Sequence, residues 1–174
     1  MARKLNWQVI LQVLGFAVLF ESVLLLLPLL VAGIYHEQHM LQALLITIGI
    51  TFACGGLLSR IEPKKQDYFA RDGLIAVGLI WIVLSLAGAL PFRLSGEIPS
   101  YVDSFFETVS GFTTTGATIL TDVETLSRSA IFWRSLTHWV GGMGVLVLLL
   151  AVLPKTGEQA MHLMRAEAPG PSIS

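Results

Sequence analysis

The stretch "SGFTTTGATILTD", residues 110–122, contains three consecutive threonines followed by Gly-Ala-Thr. Long apolar segments lie on both sides of it. The stretch is too polar to face hydrocarbon and too apolar for an ordinary surface loop. Irregular backbone is tolerated at membrane depth only where it is packed in protein or lines water. The residues around the stretch therefore decide whether it is a turn between helices or a loop inside a membrane.

The composition of the chain indicates a membrane protein. Of 174 residues, 54% are hydrophobic and 13% are charged, whereas a soluble domain carries about 25% charged residues. The apolar residues also form long blocks rather than the short runs of a soluble core. The long apolar blocks therefore predict a lipid bilayer as the surroundings of the chain. The net charge of -1 argues against a nucleic-acid partner.

Four segments are long and apolar enough to cross a bilayer, which takes roughly 20 residues. They are residues 7–34, 40–58, 73–92 and 130–153. The first is longer than a signal-peptide core, which has about 7–15 residues. We therefore expect the first segment to be a retained helix, kinked by Pro28.

Lysine and arginine predict the orientation. With four crossings, the termini and the loop after the second span share one side, and the remaining loops lie on the other. The first side holds eight basic residues: Arg3, Lys4, Arg60, Lys64, Lys65, Arg71, Lys155 and Arg165. The other side holds three: Arg93, Arg128 and Arg134. Because basic residues are in excess on the cytoplasmic side, both termini are expected in the cytoplasm.

The connection between the third and fourth spans contains a predicted short helix. Pro99 and Ser100 are typical of a helix start, with Asp103 in the first turn. Apolar residues then recur at a spacing of three to four: Val102, Phe105, Phe106 and Val109. A helix over residues 100–113 would be about 20 Å long, too short to cross a bilayer. The predicted fold class is an all-α membrane protein with four transmembrane helices plus one re-entrant pore helix and filter loop.

The residues after this helix are suited to binding a cation. A helix that enters from outside directs its C-terminal end, with its partial negative charge, at the membrane centre. The small residues that follow let carbonyl oxygens face an axis, and Gly116 permits backbone conformations that other residues resist. A ring of such carbonyls can replace the hydration shell of a potassium ion.

Three motifs carry a family resemblance. The stretch "FFETVSGFTTTGAT", residues 105–118, resembles the first pore loop of the Trk/Ktr/HKT superfamily of potassium transporters. Residues 133–154, "WRSLTHWVGGMGVLVLLLAVLP", and 161–171, "MHLMRAEAPGP", are similar to the inner helix and following segment of its TrkH branch. Residues 70–92 resemble that branch's outer helix, and the first two spans fit its N-terminal hairpin.

The resemblance implies potassium uptake across a bacterial inner membrane. In the family, four helix–pore-loop–helix repeats surround one pore, and each contributes one strand of the filter. Carried over by position, the potassium ligands are Thr114, Thr115, Gly116 and Ala117, with Thr118 adjacent in the filter. The resemblance also implies a dimeric transporter on a cytoplasmic ring of nucleotide-binding regulatory proteins. Nucleotide would act only through that partner, and no covalent cofactor is expected.

The chain is predicted to contain one such repeat. The expected division is an N-terminal transmembrane hairpin (1–60), a cytoplasmic basic loop (61–72), the repeat (73–154) and a cytoplasmic tail (155–174). Because one strand cannot enclose an ion, we expect a truncated or split subunit, non-conducting alone, in preference to a homotetrameric channel. Two-helix potassium channels carry TVGYG, and fewer glycines here predict weaker discrimination between potassium and sodium.

The sequence also predicts roles for several other polar and small residues. Asp103 and Glu107 are expected to support the pore helix, with Glu107 bonding to the filter backbone and Arg134 pairing with an acid. Three glycines of the fourth span serve close helix packing or a flexible gating point. They are Gly141, Gly142 and Gly144.

Four residues of the spans are expected to have structural roles. Glu21 lies mid-span, where acids are candidates for function, but we expect it to face the bundle and bond to a polar neighbour. His138 is interpreted as a packing residue, and Trp133 and Trp139 as an interfacial belt. No HExxH, GxSxG or paired-cysteine motif occurs, so an enzyme is not predicted.

Overall fold

The computed structural model describes residues 5–62 and 70–152. Those residues form seven α-helices, one 3-10 turn and no strand, so the predicted all-α class is confirmed. The helices are α1 (Trp7–Leu24), α2 (Leu26–Ile34), α3 (Gln38–Ser59), α4 (Ala70–Gly88), α5 (Leu90–Ser95), α6 (Tyr101–Phe112) and α7 (Arg128–Val152). Predictions about the extreme N-terminus, most of the basic loop and the tail lie outside the described residues.

Three helical segments of the described residues are long and apolar enough to cross a membrane. They are Trp7–Ile34, Gln38–Ser59 and Asp72–Ser95, which correspond to the first three predicted spans. The fourth predicted span corresponds to α7, which has 25 residues and is about 37 Å long at the α-helical rise. It is not among the three candidate spans, so the count of four transmembrane helices stays a prediction.

Two of these spans are interrupted close to a proline. The first breaks at Leu25, three residues before Pro28, and the third breaks at Ala89, two residues before Pro91. Proline lacks an N–H and its ring clashes with the carbonyl four residues earlier, which favours a break at this distance. The first span is therefore interrupted close to the position of the predicted kink, and the bend itself stays a prediction.

The N-terminal hairpin packs tightly because two glycines leave room for it. A Cβ on Gly15 of α1 would lie 2.4 Å from the backbone nitrogen of Ser59 on α3. A Cβ on Gly55 of α3 would lie 2.9 Å from the backbone nitrogen of Leu19 on α1. Small residues at such positions allow the close backbone approach on which helix packing in membranes depends.

A buried apolar cluster joins the hairpin to the connection and to α7. Its buried members are Leu25, Ala32, Met40, Leu44, Phe92, Ile98, Leu126, Ala130 and Trp133. The indole N–H of Trp133 donates to the carbonyl of Gly88 over 2.9 Å, and its side chain is 1% exposed. The interfacial interpretation of Trp133 was wrong, because the ring fills this core. Trp139 is 60% exposed, as a belt residue would be.

Candidate functional site

The short helix predicted before the Thr/Gly stretch is α6. Its N-cap is Ser100, whose hydroxyl oxygen accepts from the backbone N–H of Asp103 over 3.4 Å. The helix has 12 residues, which makes it about 18 Å long. The predicted start at Ser100 is confirmed, and the length falls short of a bilayer.

The face that α6 turns toward the rest of the chain is polar. Its buried residues are Ser104, Glu107, Thr108, Ser110, Gly111 and Phe112. On the apolar face, Val102 is 73% exposed and Phe106 is 44% exposed. The apolar residues whose spacing predicts this helix therefore lie on its outward surface.

The backbone turns sharply where α6 ends. The N–H groups of Thr113, Thr114 and Thr115 donate to carbonyls of Val109, Gly111 and Ser110, over 2.8, 2.9 and 3.0 Å. Thr114 and Gly116 have positive φ angles of 55° and 74°. Residues 113–119 are all exposed. The filter residues predicted from sequence thus lie in one continuous exposed segment in which positions 114 and 116 are left-handed, and we call it the filter loop (residues 113–119).

Glu107 holds the far end of the filter loop. One carboxylate oxygen accepts from the N–H of Ile119 over 2.8 Å and from the hydroxyl of Thr118. The other lies 2.9 Å from Nε of Arg134 on α7. The carboxylate is fully buried, so these donors supply the compensation that a buried charge requires. The expected bond from Glu107 to the loop backbone and the expected acid partner of Arg134 are both present.

The pKa of Glu107 is lowered from its ordinary value. Burial alone would raise it, but hydrogen bonds from Thr118, Arg134 and the backbone of Ile119, with the charge of Arg134, outweigh that effect. Glu107 is therefore a carboxylate at neutral pH.

Two side chains of the loop region have roles that differ from simple ion ligands. The hydroxyl of Ser110 donates to the carbonyl of Ala117 over 2.6 Å, which ties the middle of the loop to α6. The hydroxyl of Thr118 donates to Glu107, so it faces the protein. Ser110 was missed by the sequence reasoning, since nothing in the sequence relates it to a residue seven positions later.

Glycines bring α7 against the end of α6. A Cβ on Gly111 would lie 2.1 Å from the hydroxyl oxygen of Thr137, and one on Gly141 would lie 2.2 Å from the carbonyl oxygen of Phe112. A Cβ on Gly144 would lie 2.7 Å from the ring of Trp81. Gly142 differs, because its nearest neighbour would be the methyl of Thr114 at 3.9 Å. Close packing thus accounts for Gly141 and Gly144, and leaves Gly142 unconstrained.

Among the described residues, Asp103 and His138 make no hydrogen bond to the filter loop. The half-buried side chain of Asp103 makes no hydrogen bond or ion pair within the described residues. Nδ1 of His138 lies 2.9 Å from the carbonyl oxygen of Arg134, one turn earlier on α7. The histidine therefore packs along its own helix, while the support role of Asp103 stays a prediction.

Glu21 faces the interior of the bundle, as expected, and is 1% exposed. Its Oε1 lies 2.9 Å from the position of a Cβ on Gly88, and the methyl of Thr108 and the ring of Trp133 border the same position. Within the described residues, neither carboxyl oxygen has a hydrogen-bond partner. The expected bond to a polar neighbour is therefore not found among them.

Comparisons with known proteins agree with this arrangement. Residues 36–174 match the family TrkH, described as a cation transport protein. The chain is 36% identical over 169 residues to the Trk system potassium uptake protein TrkH of Halomonas elongata, covering 96% of this chain and 35% of the relative. It is 39% identical over 170 residues to the protein of the same name from Escherichia coli K12, with the same coverage.

A solved structure is similar over nearly the whole chain. The crystal structure of the potassium transporter TrkH from Vibrio parahaemolyticus matches with a TM-score of 0.78 and 32% sequence identity. The match covers 93% of this chain and 37% of that one. The chain therefore spans about a third of the length of the relatives it matches.

The all-α fold, the apolar helices and the family match place the chain in a class of membrane proteins described as cation transport proteins. The family match covers most of the chain, and the relatives exceed 30% identity. The chain belongs to the TrkH family.

Proposed function

We propose that the chain takes part in potassium uptake across a bacterial inner membrane and supplies one quarter of a carbonyl-lined filter. The observation that carries this proposal is the filter loop, which is exposed along its length and tied to a half-spanning helix at its middle and at its far end. Residues that alternate between left-handed and ordinary backbone can present successive carbonyls to one side. Potassium would replace its hydration shell with those oxygens.

The ion ligands follow from which oxygens are free. The carbonyls of Thr114, Thr115 and Gly116 lie in the exposed segment, and the carbonyl of Ala117 already accepts from Ser110. We therefore assign the main ligands to the first three residues, with Ala117 contributing through its second lone pair. Thr118 supports the loop through Glu107.

The charge of the site favours a cation. The C-terminal end of α6 carries partial negative charge and precedes the loop directly. The carboxylate of Glu107 is neutralised by Arg134, so it orients the loop more than it attracts the ion. Discrimination between potassium and sodium is expected to be weaker than in a TVGYG channel.

One strand cannot surround an ion, so the proposal requires the other three walls. We infer that they come from further repeats of a longer or split subunit, and that the chain alone is non-conducting. A homotetramer of this chain is the alternative. By family resemblance, the complete subunit would dimerise, with both termini on the cytoplasmic side beside a nucleotide-binding ring.

The test is growth of potassium-uptake-deficient cells at low potassium. We expect no growth with the chain alone and growth when the remaining three repeats are co-expressed. Gly116→Ala should then reduce uptake at least tenfold. An alanine at this position would be strained, because φ is 74°. Each 1.4 kcal/mol of strain in the conducting state lowers uptake about tenfold. Growth with the chain alone would establish the homotetramer.

The matched control is Gly96→Ala. Gly96 also has a positive φ, 82°, with open space where an added methyl would lie, but it ends α5 away from the loop. The substitution should lower stability by about 1 kcal/mol and leave uptake per inserted subunit unchanged. Equal loss of uptake in both variants would contradict the filter assignment.

A further inference from the structure

The start of α7 has every free backbone N–H occupied. The first four N–H groups of an α-helix have no partner inside the helix. In α7 these belong to Ser127, Arg128, Ser129 and Ala130. The N–H of Ala130 donates to the hydroxyl of Ser127 over 3.3 Å, which is an ordinary cap. The other three donate to carboxylates brought from distant parts of the chain.

Glu37, in the turn between α2 and α3, takes two of them. Its Oε1 accepts from the N–H of Arg128 over 2.8 Å, and its Oε2 accepts from the N–H of Ser129 over 3.0 Å. The hydroxyl of Ser129 also donates to Glu37. Glu97 takes the third, from Ser127, over 3.2 Å. A carboxylate at a helix N-terminus also gains from the helix dipole, so Glu37 fixes this end strongly.

The turn that carries Glu37 is itself held in place. The N–H of Glu37 donates to the carbonyl of Ala32 over 2.9 Å, and His36 adopts a positive φ of 56° between them. The guanidinium of Arg128 lies 4.7 Å from the centre of the Tyr35 ring, which favours the same docking. Two residues of one turn, Tyr35 and Glu37, therefore contact the first residues of α7.

The same helix carries the residue that fixes Glu107. Arg134 follows Arg128 by six residues, or about 9 Å along the helix axis. Its Nε lies 2.9 Å from Glu107, whose other oxygen accepts from the N–H of Ile119 over 2.8 Å. Because an α-helix is rigid over two turns, a rotation or shift at its start moves Arg134 as well.

We propose that Glu37 is a positioning residue for the filter loop, acting from the N-terminal hairpin through α7, Arg134 and Glu107. The hairpin then sets the geometry of the loop without lining the ion path. The inference rests on the proposed function for its effect on transport. Its structural part, the connection from Glu37 to residues 113–119, is measurable without transport.

The experiment is amide hydrogen exchange, read by mass spectrometry, on the lipid-reconstituted chain with and without Glu37→Ala. We expect residues 127–131 and 113–120 both to exchange about fivefold faster, the factor that corresponds to a lost helix cap. Faster exchange at 127–131 with no change at 113–120 would overturn the proposal, because the cap would then be local.

Two controls separate positioning from general loss of stability or charge. Glu124→Gln removes an exposed acid of the 3-10 turn that precedes α7, whose side chain has no bond within the described residues, and it should change neither segment. Ile10→Ala destabilises the α1–α4 core, so exchange should rise there and not at 113–120. If Ile10→Ala reproduces the pattern of Glu37→Ala, the positioning role is wrong.

A milder variant covers the case in which Glu37→Ala fails to insert. Glu37→Gln keeps one acceptor oxygen and should accelerate the same two segments by a smaller factor. In the complete transporter, Glu37→Ala should also lower the ratio of potassium to sodium uptake. If the wild-type transporter showed no uptake, only the proposed function would be rejected. The positioning role would still be decided by the exchange result.

Discussion

Glu107 is the residue on which the geometry of the filter loop depends most directly. Its carboxylate connects three separate parts of the chain: α6, the end of the loop at Thr118 and Ile119, and α7 at Arg134. Removing one member of such a network costs more than the bond itself, because a buried charge is left without compensation.

We predict that Arg134→Ala destabilises the protein by roughly 2 kcal/mol. This is less than for a fully buried pair, because the Arg134 side chain is 18% exposed. The double variant Glu107→Gln with Arg134→Ala should lose less than the sum of the single variants, since no buried charge remains. Thermal unfolding in detergent measures this, with Arg93→Ala as an exposed control. Strict additivity would show that the two side chains are not coupled.

Sequence reasoning anticipated part of this residue-scale arrangement. The position of Glu107 within a helix predicted a bond to the loop, and the placement of Arg134 on the same side predicted an acid partner. The fold adds what sequence cannot show: Thr118 bonds to Glu107, and Ser110 holds the carbonyl of Ala117. These contacts depend on the path of an irregular backbone, which no residue preference specifies.

At the scale of helices, contact between α6 and α7 depends on glycine. Gly111 and Gly141 remove the side chains that would otherwise separate the two helices. The same packing places a polar face of α6 inward. The spacing of apolar residues predicts the helix, but the inward face is polar because it meets the loop and Arg134.

Adjacent glycines of α7 provide a matched test of this packing. Gly141→Ala would place a methyl 2.2 Å from the carbonyl oxygen of Phe112, whereas Gly142→Ala meets nothing closer than 3.9 Å. We expect the first to lower stability by about 1–3 kcal/mol, the usual cost of overpacking, and the second to change it little.

The measurement is thermal unfolding together with the amount of inserted protein. If Gly142→Ala lowered transport while leaving stability and abundance unchanged, a flexible gating point at that glycine would be favoured over packing. Equal stability of both variants would contradict the contact between Gly141 and α6.

At the scale of the whole molecule, the described residues leave the outward surface of α6 uncovered. Val102 and Phe106 are exposed apolar residues on α6, beside an exposed polar loop. An apolar face next to a polar one fits a partner surface better than lipid alone. The proposed remaining repeats would cover both.

We predict that Val102→Cys, in a Cys54→Ser background, reacts with a maleimide in the isolated reconstituted chain and is protected in the complete transporter. Val102 is 73% exposed here, so protection would require coverage by another repeat. Ser104→Cys, on the buried side of the same helix and 0% exposed, should stay unreactive in both. Equal labelling of Val102→Cys in both forms would show that α6 does not face the remaining repeats.

From the amino-acid sequence alone follow the all-α class, three long apolar segments, the helix that begins after Ser100 and the likeness to the TrkH branch. Hydropathy, prolines, caps and short motifs are local properties, so a linear pattern carries them. Packing in three dimensions was needed to show that Glu37 caps α7 across 91 residues, that Trp133 fills a core and that Ser110 holds the carbonyl of Ala117. Those features depend on where a few polar groups meet after the helices pack, and neither hydrophobicity nor periodicity specifies that meeting.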